Sequence, residues 1–427
     1  MSKESSTFDE LLKPIDDFIE NNLYSRKCES LPDMHWIGLG IKRVLGENNS
    51  GRSFLQRLAL SGQESFWPSH YFDALKSERR LDHLVHLNKG LINSDMAWGD
   101  CEDPISTECP ELDDYFINSG DGHHIKAPVH EEKVDGSVYS TQNFYANNIR
   151  SNMMWHVTTA EYGDTRKKEH DMRALKRQDI EVLRAGATKG IKSLWIWDRA
   201  CMDFPQWHEW KMKGIYFITI EKDNNVFKVL EESEFDENDS SHYGVLKDEK
   251  VESGSKKIIL RRITYRCPDT NNVYVFITNL SVKIRPGVIA FLYKCRWNIE
   301  KTYNTFKHKL EEQRAWAVTS VAKEAQANFI CLAYNLSLIL NRRVDREVTE
   351  PKHSPNYIAR EKKKLRINTL IKKCKKLKRK IPKLLLTALR LVEIPKKFII
   401  WIRESIRIPC SWSVAIERLQ PCCARKY

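Results

Sequence analysis

Eleven cysteines are scattered through this 427-residue chain, and no two form a Cys-x-x-Cys pair. That excludes the usual zinc frameworks, and the adjacent Cys422 and Cys423 at the tail supply none. Reduced thiols in a cytosolic compartment are expected. No run of about 18 apolar residues exists, which argues against a membrane-spanning helix. The opening MSKESSTFDE is polar, so no signal peptide is expected. No clear helix-turn-helix and no heptad seam can be found. What is present is a globular balance of 41% hydrophobic and 30% charged residues, in a chain long enough for two or three domains. The formal charge of +13 favours a polyanionic partner, nucleic acid first and an anionic membrane surface second.

From Ser2 to about Met96 the pattern is helical, with a break at Ser65–Pro68 and Ser69 as a possible cap for the next helix. Lys76, Arg79 and Arg80 read equally as a solvated cationic face or as DNA contacts. Trp98 to Leu112 has the Pro and acidic content of a linker. Strands follow at Tyr115–Ile125, Val138–Ala146 and Met153–Thr159, with a turn at Asp135-Gly136. A charged helix is expected at Lys167–Arg184, a buried strand at Ser193–Trp197, a helix at Trp207–Met212 and a strand at Gly214–Ile220. A β-rich stretch then occupies about 221–288, and Thr319–Arg343 is strongly helical. The pattern describes an α/β sheet of mixed strand order, flanked by helical regions. Between Arg360 and Lys383 there are thirteen Lys or Arg against one acid, Glu361, a net +12. This is a basic helix for phosphates or a disordered cationic arm. Ile394–Ile408 reads as an interfacial amphipathic helix or a dimer surface.

The richest stretch is Phe291–Leu310, FLYKCRWNIEKTYNTFKHKL, which lacks Gly and Pro and predicts one helix. At about 100° per residue, Tyr293, Arg296, Glu300 and Lys307 fall within an arc of roughly 60°. Leu292, Ile299, Tyr303, Phe306 and Leu310 form the apolar stripe beside it. Arg296 and Glu300 at i,i+4 could be an ordinary surface pair worth a few tenths of a kcal/mol. A carboxylate fixed between cations also suits a site where metal and phosphate meet. Such a site needs further acids. Asp198 ends the apolar strand LWIW, where a sheet would hold it in place; the alternatives are pairing with Arg199 or capping a turn. Asp121 lies in the first strand, whereas Asp135 in Asp-Gly is better explained by a turn, so Asp121 is preferred. His123, His124, His130 and His156 lack the spacing of a zinc site. Glu169, His170 and Asp171 read as helix N-terminal partners and supporting groups rather than ligands.

The spacing Tyr293-x2-Arg296-x3-Glu300-x6-Lys307, together with Asp121-Gly122 and Asp198-Arg199-Ala200, resembles the DDE transposases of the insertion sequence four family over roughly Tyr115 to Asn335. The resemblance implies an RNase H-like catalytic core with a β-rich insertion before its Glu. It further implies two Mg2+ ions, with Mn2+ as a substitute, held by Asp121, Asp198 and Glu300. Terminal-strand phosphates would be held by Tyr293, Arg296 and Lys307, with Arg199 beside the second acid. The implied partners are inverted-repeat ends and target DNA, bound by a homodimer. The implied activity is cut-and-paste transposition through strand cleavage and 3′-hydroxyl strand transfer. Tyr274 and Trp297 are possible base-stacking residues. The expected division is a helical domain for DNA ends (1–110), a catalytic domain (111–343) and a basic C-terminal region (344–427) for DNA binding or dimerisation. The expected location is cytoplasmic and DNA-associated. A nuclease without strand transfer and a non-catalytic DNA-binding protein are the alternatives.

Overall fold

The computed structural model describes residues 4–22, 31–46, 50–62, 67–94, 103–133, 136–161, 169–184, 187, 190–254, 257–310, 312–347, 354–390, 396–408 and 410–424. One nine-stranded sheet carries the middle of the chain. Its strands are β1 (Tyr115–Ile125), β2 (Thr141–Asn148), β3 (Met154–Thr159), β4 (Lys192–Ile196), β5 (Ile215–Ile220), β6 (Phe227–Glu232), β7 (Val245–Ser253), β8 (Ile259–Arg266) and β9 (Val273–Thr278). They lie side by side in the order β3-β2-β1-β4-β5-β9-β8-β7-β6. β1 and β5 flank β4 as parallel neighbours, and every other pairing is antiparallel. The β-rich stretch therefore extends the sheet through β9 instead of forming a separate one.

Alternation along β4 feeds two cores. Trp195 points into one cluster, while Leu194 and Ile196 belong to the other. The first core is completed by α7 (Asp171–Lys176), α8 (Ile180–Arg184), α9 (Phe204–Lys211), α11 (Trp297–Lys309) and α12 (Ser320–Glu347). The second lies under α10 (Pro286–Cys295) and a short helix, α6 (Pro104–Glu108).

This arrangement overturns the single helix expected across Phe291–Leu310. The helical ladder breaks at Arg296, which ends α10 and precedes α11 with its own backbone still helical. Leu292 is buried in the second core, whereas Ile299, Tyr303, Phe306 and Leu310 are buried in the first. One straight helix could not reach both faces, so the break carries the chain from one to the other. Burying Ile299 and Phe306 completely contributes about 1.5–3 kcal/mol each to seating α11. That outweighs anything a part-exposed ion pair supplies, so Arg296 and Glu300 are not what holds the helix in place.

Of the N-terminal helices α1 (Thr7–Asn22), α2 (Asp33–Leu45), α3 (Gly51–Leu60), α4 (Pro68–Ala74) and α5 (Glu78–Asn93), the first, second and fifth pack on α12, and all five add side chains to the first core. Asn335 of α12 clamps the edge strand β3, receiving the Met154 N–H at 2.9 Å and donating to the Met154 carbonyl at 2.8 Å. Gly40 permits the close approach, since a Cβ there would sit 2.1 Å from the Phe329 ring. Four local expectations need correction. Trp67, not Ser69, precedes α4, with Pro68 at its first position. Arg79 and Arg80 both bind Asp33, at 2.6 and 3.2 Å, and so are not free cations on a solvated face, whereas Lys76 is exposed beside Asp73. Residues 103–112 are not a free linker, because Ile105, Cys109 and Leu112 are buried in the second core. The charged helix splits into α7 and α8 around Arg177 to Asp179.

The C-terminal stretch folds back on the rest. α13 (Tyr357–Lys376) and α14 (Lys383–Arg390) lie beside the β-rich arm and α10. α15 (Lys396–Arg407) and α16 (Trp412–Ala424) lie against α1. The basic segment is thus helical up to Lys376. The apolar side of α15 (Phe398, Ile399, Trp401, Ile402) is buried within the chain, against α1, α11 and α16, so it is used up as either a membrane or a dimer face.

Candidate active site

Parallel pairing of β1 with β4 ends at Ser119 opposite Ile196. Asp121 and Asp198 each lie two residues further on, level with one another where the parallel pairing stops, Asp121 within β1 and Asp198 just past the carboxyl end of β4. That end of an α/β sheet is where ligands generally bind. Two glycines flank Asp121. A Cβ at Gly120 would stand 2.2 Å from the Trp197 ring, and one at Gly122 would meet the Gln142 amide at 2.9 Å. The glycines that disturb the alternation of this strand therefore let Trp197 and the Gln142–Asp171 pair close around the acid.

The Asp121 carboxylate accepts the Gly122 N–H at 2.9 Å and lies 3.7 Å from Arg296 Nη1. Burial pushes it up to about 7, against the pull of Arg296, and the charges of Asp198 and Asp171 push the same way. Asp198 uses one oxygen to accept the Ala200 N–H at 2.7 Å, so it does cap a turn, while Thr219 donates to its carbonyl. Arg199 is exposed and pairs with no acid among the described residues. Glu300 enters from α11, where Arg296 Nη2 reaches its Oε1 at 2.9 Å. Arg296, only 6% exposed, therefore bridges the first and third acids. The Tyr293 phenol is buried and feels Arg296, Asp198 and Glu300 together. Lys307 is exposed and acts on His123, whose imidazole burial holds at about 4.

Asp171, at the first position of α7, stands closer to the centre than its helix-terminal role suggested. Its Oδ1 would be 3.5 Å from a Gly122 Cβ, and burial and Asp198 raise its carboxyl. Glu169 behaves as expected of a supporting group, paired with Arg177 at 3.0 Å. His170 accepts the Met172 N–H as the cap of α7. Asp135 lies outside the described residues.

Behind the acids is a buried polar group that sequence reasoning missed. Glu312 is wholly buried, accepts from Tyr145 Oη and from Asn143 at 3.2 Å, and faces His123 Nε2 at 3.4 Å. Burial pushes Glu312 up to about 8 and His123 down, so near neutral pH the contact joins a protonated carboxyl and a neutral imidazole. His123 stacks on Tyr303, whose hydroxyl donates to the Asp121 carbonyl at 2.6 Å. The signal for Glu312 was faint, since Glu311-Glu312-Gln313 reads as surface.

Residues 156–336 match a protein-family model. The match is to the transposase DDE domain. Asp198 and Glu300 lie inside the matched segment and Asp121 lies 35 residues before it. The match supports a DDE transposase, and with it an enzyme of DNA cleavage and transfer in transposition and recombination. No curated protein matches the chain. No helix among the described residues is long and apolar enough to cross a membrane.

DDE transposases generally use divalent metal ions. No three His, Cys, Asp or Glu side chains among the described residues stand ready to enclose one. The donor chemistry nevertheless suits a hard cation. Asp121, Asp171 and Asp198 repel one another, with Arg296 as the cation pressing on Asp121, and all of their donors are oxygen. Glu300 is held aside by the same arginine.

Proposed function

We propose that the chain is a cut-and-paste transposase of the insertion sequence four family, with an RNase H-like core built on β1 to β5 and a β-rich insertion from β6 to β9. The observation that carries this reading is the level placement of Asp121 and Asp198 on adjacent parallel strands, with Arg296 linking Asp121 to Glu300 of α11. A strand order of 3-2-1-4-5, antiparallel among the first three and parallel thereafter, supports the fold assignment.

In this reading Asp121, Asp198 and Glu300 would hold two Mg2+ ions, or Mn2+ in their place. When bound, such a pair activates the attacking oxygen and stabilises the leaving one. Asp121 gives up the proton that burial lets it keep near neutral pH. Arg296 exchanges a carboxylate for a phosphate oxygen, a swap its planar fork suits. Lys307, exposed on the same helix, supplies a point charge for the strand, and Arg199 another beyond Asp198. Tyr293 is packed against Phe276 and Arg296, so its part is to hold the guanidinium rather than to lie open to DNA. Beside it a cavity of about 170 Å³ is lined by Tyr265, Tyr274, Phe276 and Trp297. Its aromatic walls support a place for an unstacked base. The partners are inverted-repeat ends and target duplex, and joining two ends implies a homodimer on DNA.

The test is nicking and joining of duplexes bearing the element's own terminal repeats, with and without Mg2+. Cleavage by wild type and none by Glu300→Gln is expected. Equal activity of the two would sink the assignment of Glu300.

A further inference from the structure

The basic C-terminal helix and the β-rich arm are far apart in sequence, yet they meet. α13 spends its apolar positions Ile367, Leu370 and Cys374 on burial, one narrow stripe by helical spacing. Cys374 Sγ reaches the Pro268 carbonyl at 3.6 Å, and Lys373 Nζ reaches the Asp269 carbonyl at 2.6 Å, both in the turn between β8 and β9. Lys378 then adopts a left-handed backbone, φ 54°, closing the helix so that Arg379 donates its N–H to the Cys374 carbonyl at 2.9 Å. The turn brings Arg379 Nη1 to the Pro268 carbonyl at 3.3 Å and Lys380 Nζ over the Tyr243 ring at 4.8 Å.

The result is a groove of about 470 Å³ between the segment that follows α13 and the β-rich arm, with Arg266, Arg379 and Lys380 on its walls beside Phe235, Tyr243 and a single acid, Glu237. Opposite the buried stripe, Lys362, Lys372, Lys375 and Lys376 are exposed and have no ion pair among the described residues. Twenty residues of helix are about 30 Å long, enough to run past roughly eight or nine base pairs at 3.4 Å each.

We propose that the exposed face of α13, continued by the groove that Arg379 and Lys380 form against the β-rich arm, is a surface for the phosphate backbone of duplex DNA, separate from the carboxylate site. Unpaired cations spread along one side of a docked helix pay no salt-bridge loss on meeting phosphate, and each contact releases condensed counterions. The aromatic groove end suits a sugar edge or a frayed base. A lipid surface fits less well, because the apolar stripe of α13 is already covered. The inference rests on the proposed function only in taking DNA as the polyanion.

The experiment uses the full chain without divalent ions. Binding is measured against salt for a 30-base-pair duplex of arbitrary sequence and for one carrying the element's terminal repeat. Lys362→Gln/Lys372→Gln/Lys375→Gln/Lys376→Gln is compared with wild type, with thermal melting to verify the fold. The expected result is a slope of log affinity on log salt smaller by about three to four, and affinity down about tenfold or more. Loss on both duplexes assigns the surface to DNA of any sequence, including the target; loss on the repeat duplex alone assigns it to the element's end. An unchanged slope and affinity on both overturns the proposal. So does a variant that changes only sedimentation, or a wild type that prefers anionic vesicles to DNA. A chain that binds through this surface yet cuts nothing once Mg2+ is added would refute the transposase reading and leave this one standing.

Discussion

Asp121, half-buried, and Glu312, wholly buried, are carboxyl groups that α11 and its following turn help to enclose, and both are raised for the same first reason, loss of water. Their neighbours differ. Glu312 is surrounded by neutral donors, Tyr145 and Asn143, and faces a neutral imidazole. Asp121 is surrounded by charge, two further aspartates that raise it and one arginine that lowers it. The first arrangement is complete once a proton is in place. The second carries more negative charge than the chain itself neutralises. Burial alone therefore does not mark a functional acid; an unbalanced set of like charges does.

The largest effects expected follow from removing the unbalanced acids. Asp121→Asn and Glu300→Gln should each lower DNA strand cleavage about a thousandfold or more, about 4 kcal/mol of lost transition-state stabilisation. The folded state should tolerate Asp121→Asn, which removes a carboxylate that burial disfavours. Cleavage within tenfold of wild type in either variant would put the acid elsewhere. Glu312 should behave the other way. Glu312→Ala leaves the Tyr145 hydroxyl without an acceptor and the Asn143 amide with only the Tyr145 oxygen, and should cost about 2–4 kcal/mol of stability by denaturant melting. Glu312→Gln keeps an acceptor and should be nearly neutral at low pH. The unfolded chain releases the Glu312 proton above about pH 4.3, while the folded chain holds it to about 8. Stability should therefore fall as pH rises across that window, by at most about 1.4 kcal/mol per unit from this group. Glu312→Gln should flatten the fall; a slope as steep as wild type would show that Glu312 is ionised in the fold.

Much of this was readable where local pattern decides. Tyr115–Ile125 reads as β1 despite the glycines that interrupt its alternation, and the run SLWIW marks β4 because a strand covered on both faces is continuously apolar. Asp198 could be named for ending that run. The break at Arg296 could not be read, since no Gly or Pro marks it and the cause is the crossing between two cores. Arg79 and Arg80 looked free because their partner, Asp33, lies 46 and 47 residues earlier. The apolar side of α15 had no visible partner for the same reason. Asp171 sits beside Asp121 because Gly122 leaves room for it, a fact of packing that no spacing along the chain encodes.

Two smaller effects sharpen the contrast between charged and neutral surroundings. Arg296→Lys keeps the charge and loses the fork that spans Asp121 and Glu300, so cleavage should drop about ten- to a hundredfold with little change in stability. A lysine as active as the arginine would mean that charge alone suffices there. The gentlest test is Asp171→Asn. Divalent cations compete with protons for a carboxylate, so their binding to the DNA-free protein should strengthen as pH rises through the range where Asp121 ionises, about 7. The Asp171 charge holds Asp121 up; with that charge gone, Asp121 ionises more readily and the midpoint of cation binding should move to lower pH. If Asp171 were itself a necessary ligand, the same substitution would weaken binding at every pH, including well above 7. A midpoint that moves with affinity preserved at high pH identifies Asp171 as a group that tunes Asp121 through its charge. A uniform loss places it among the ligands and makes the site one of four carboxylates.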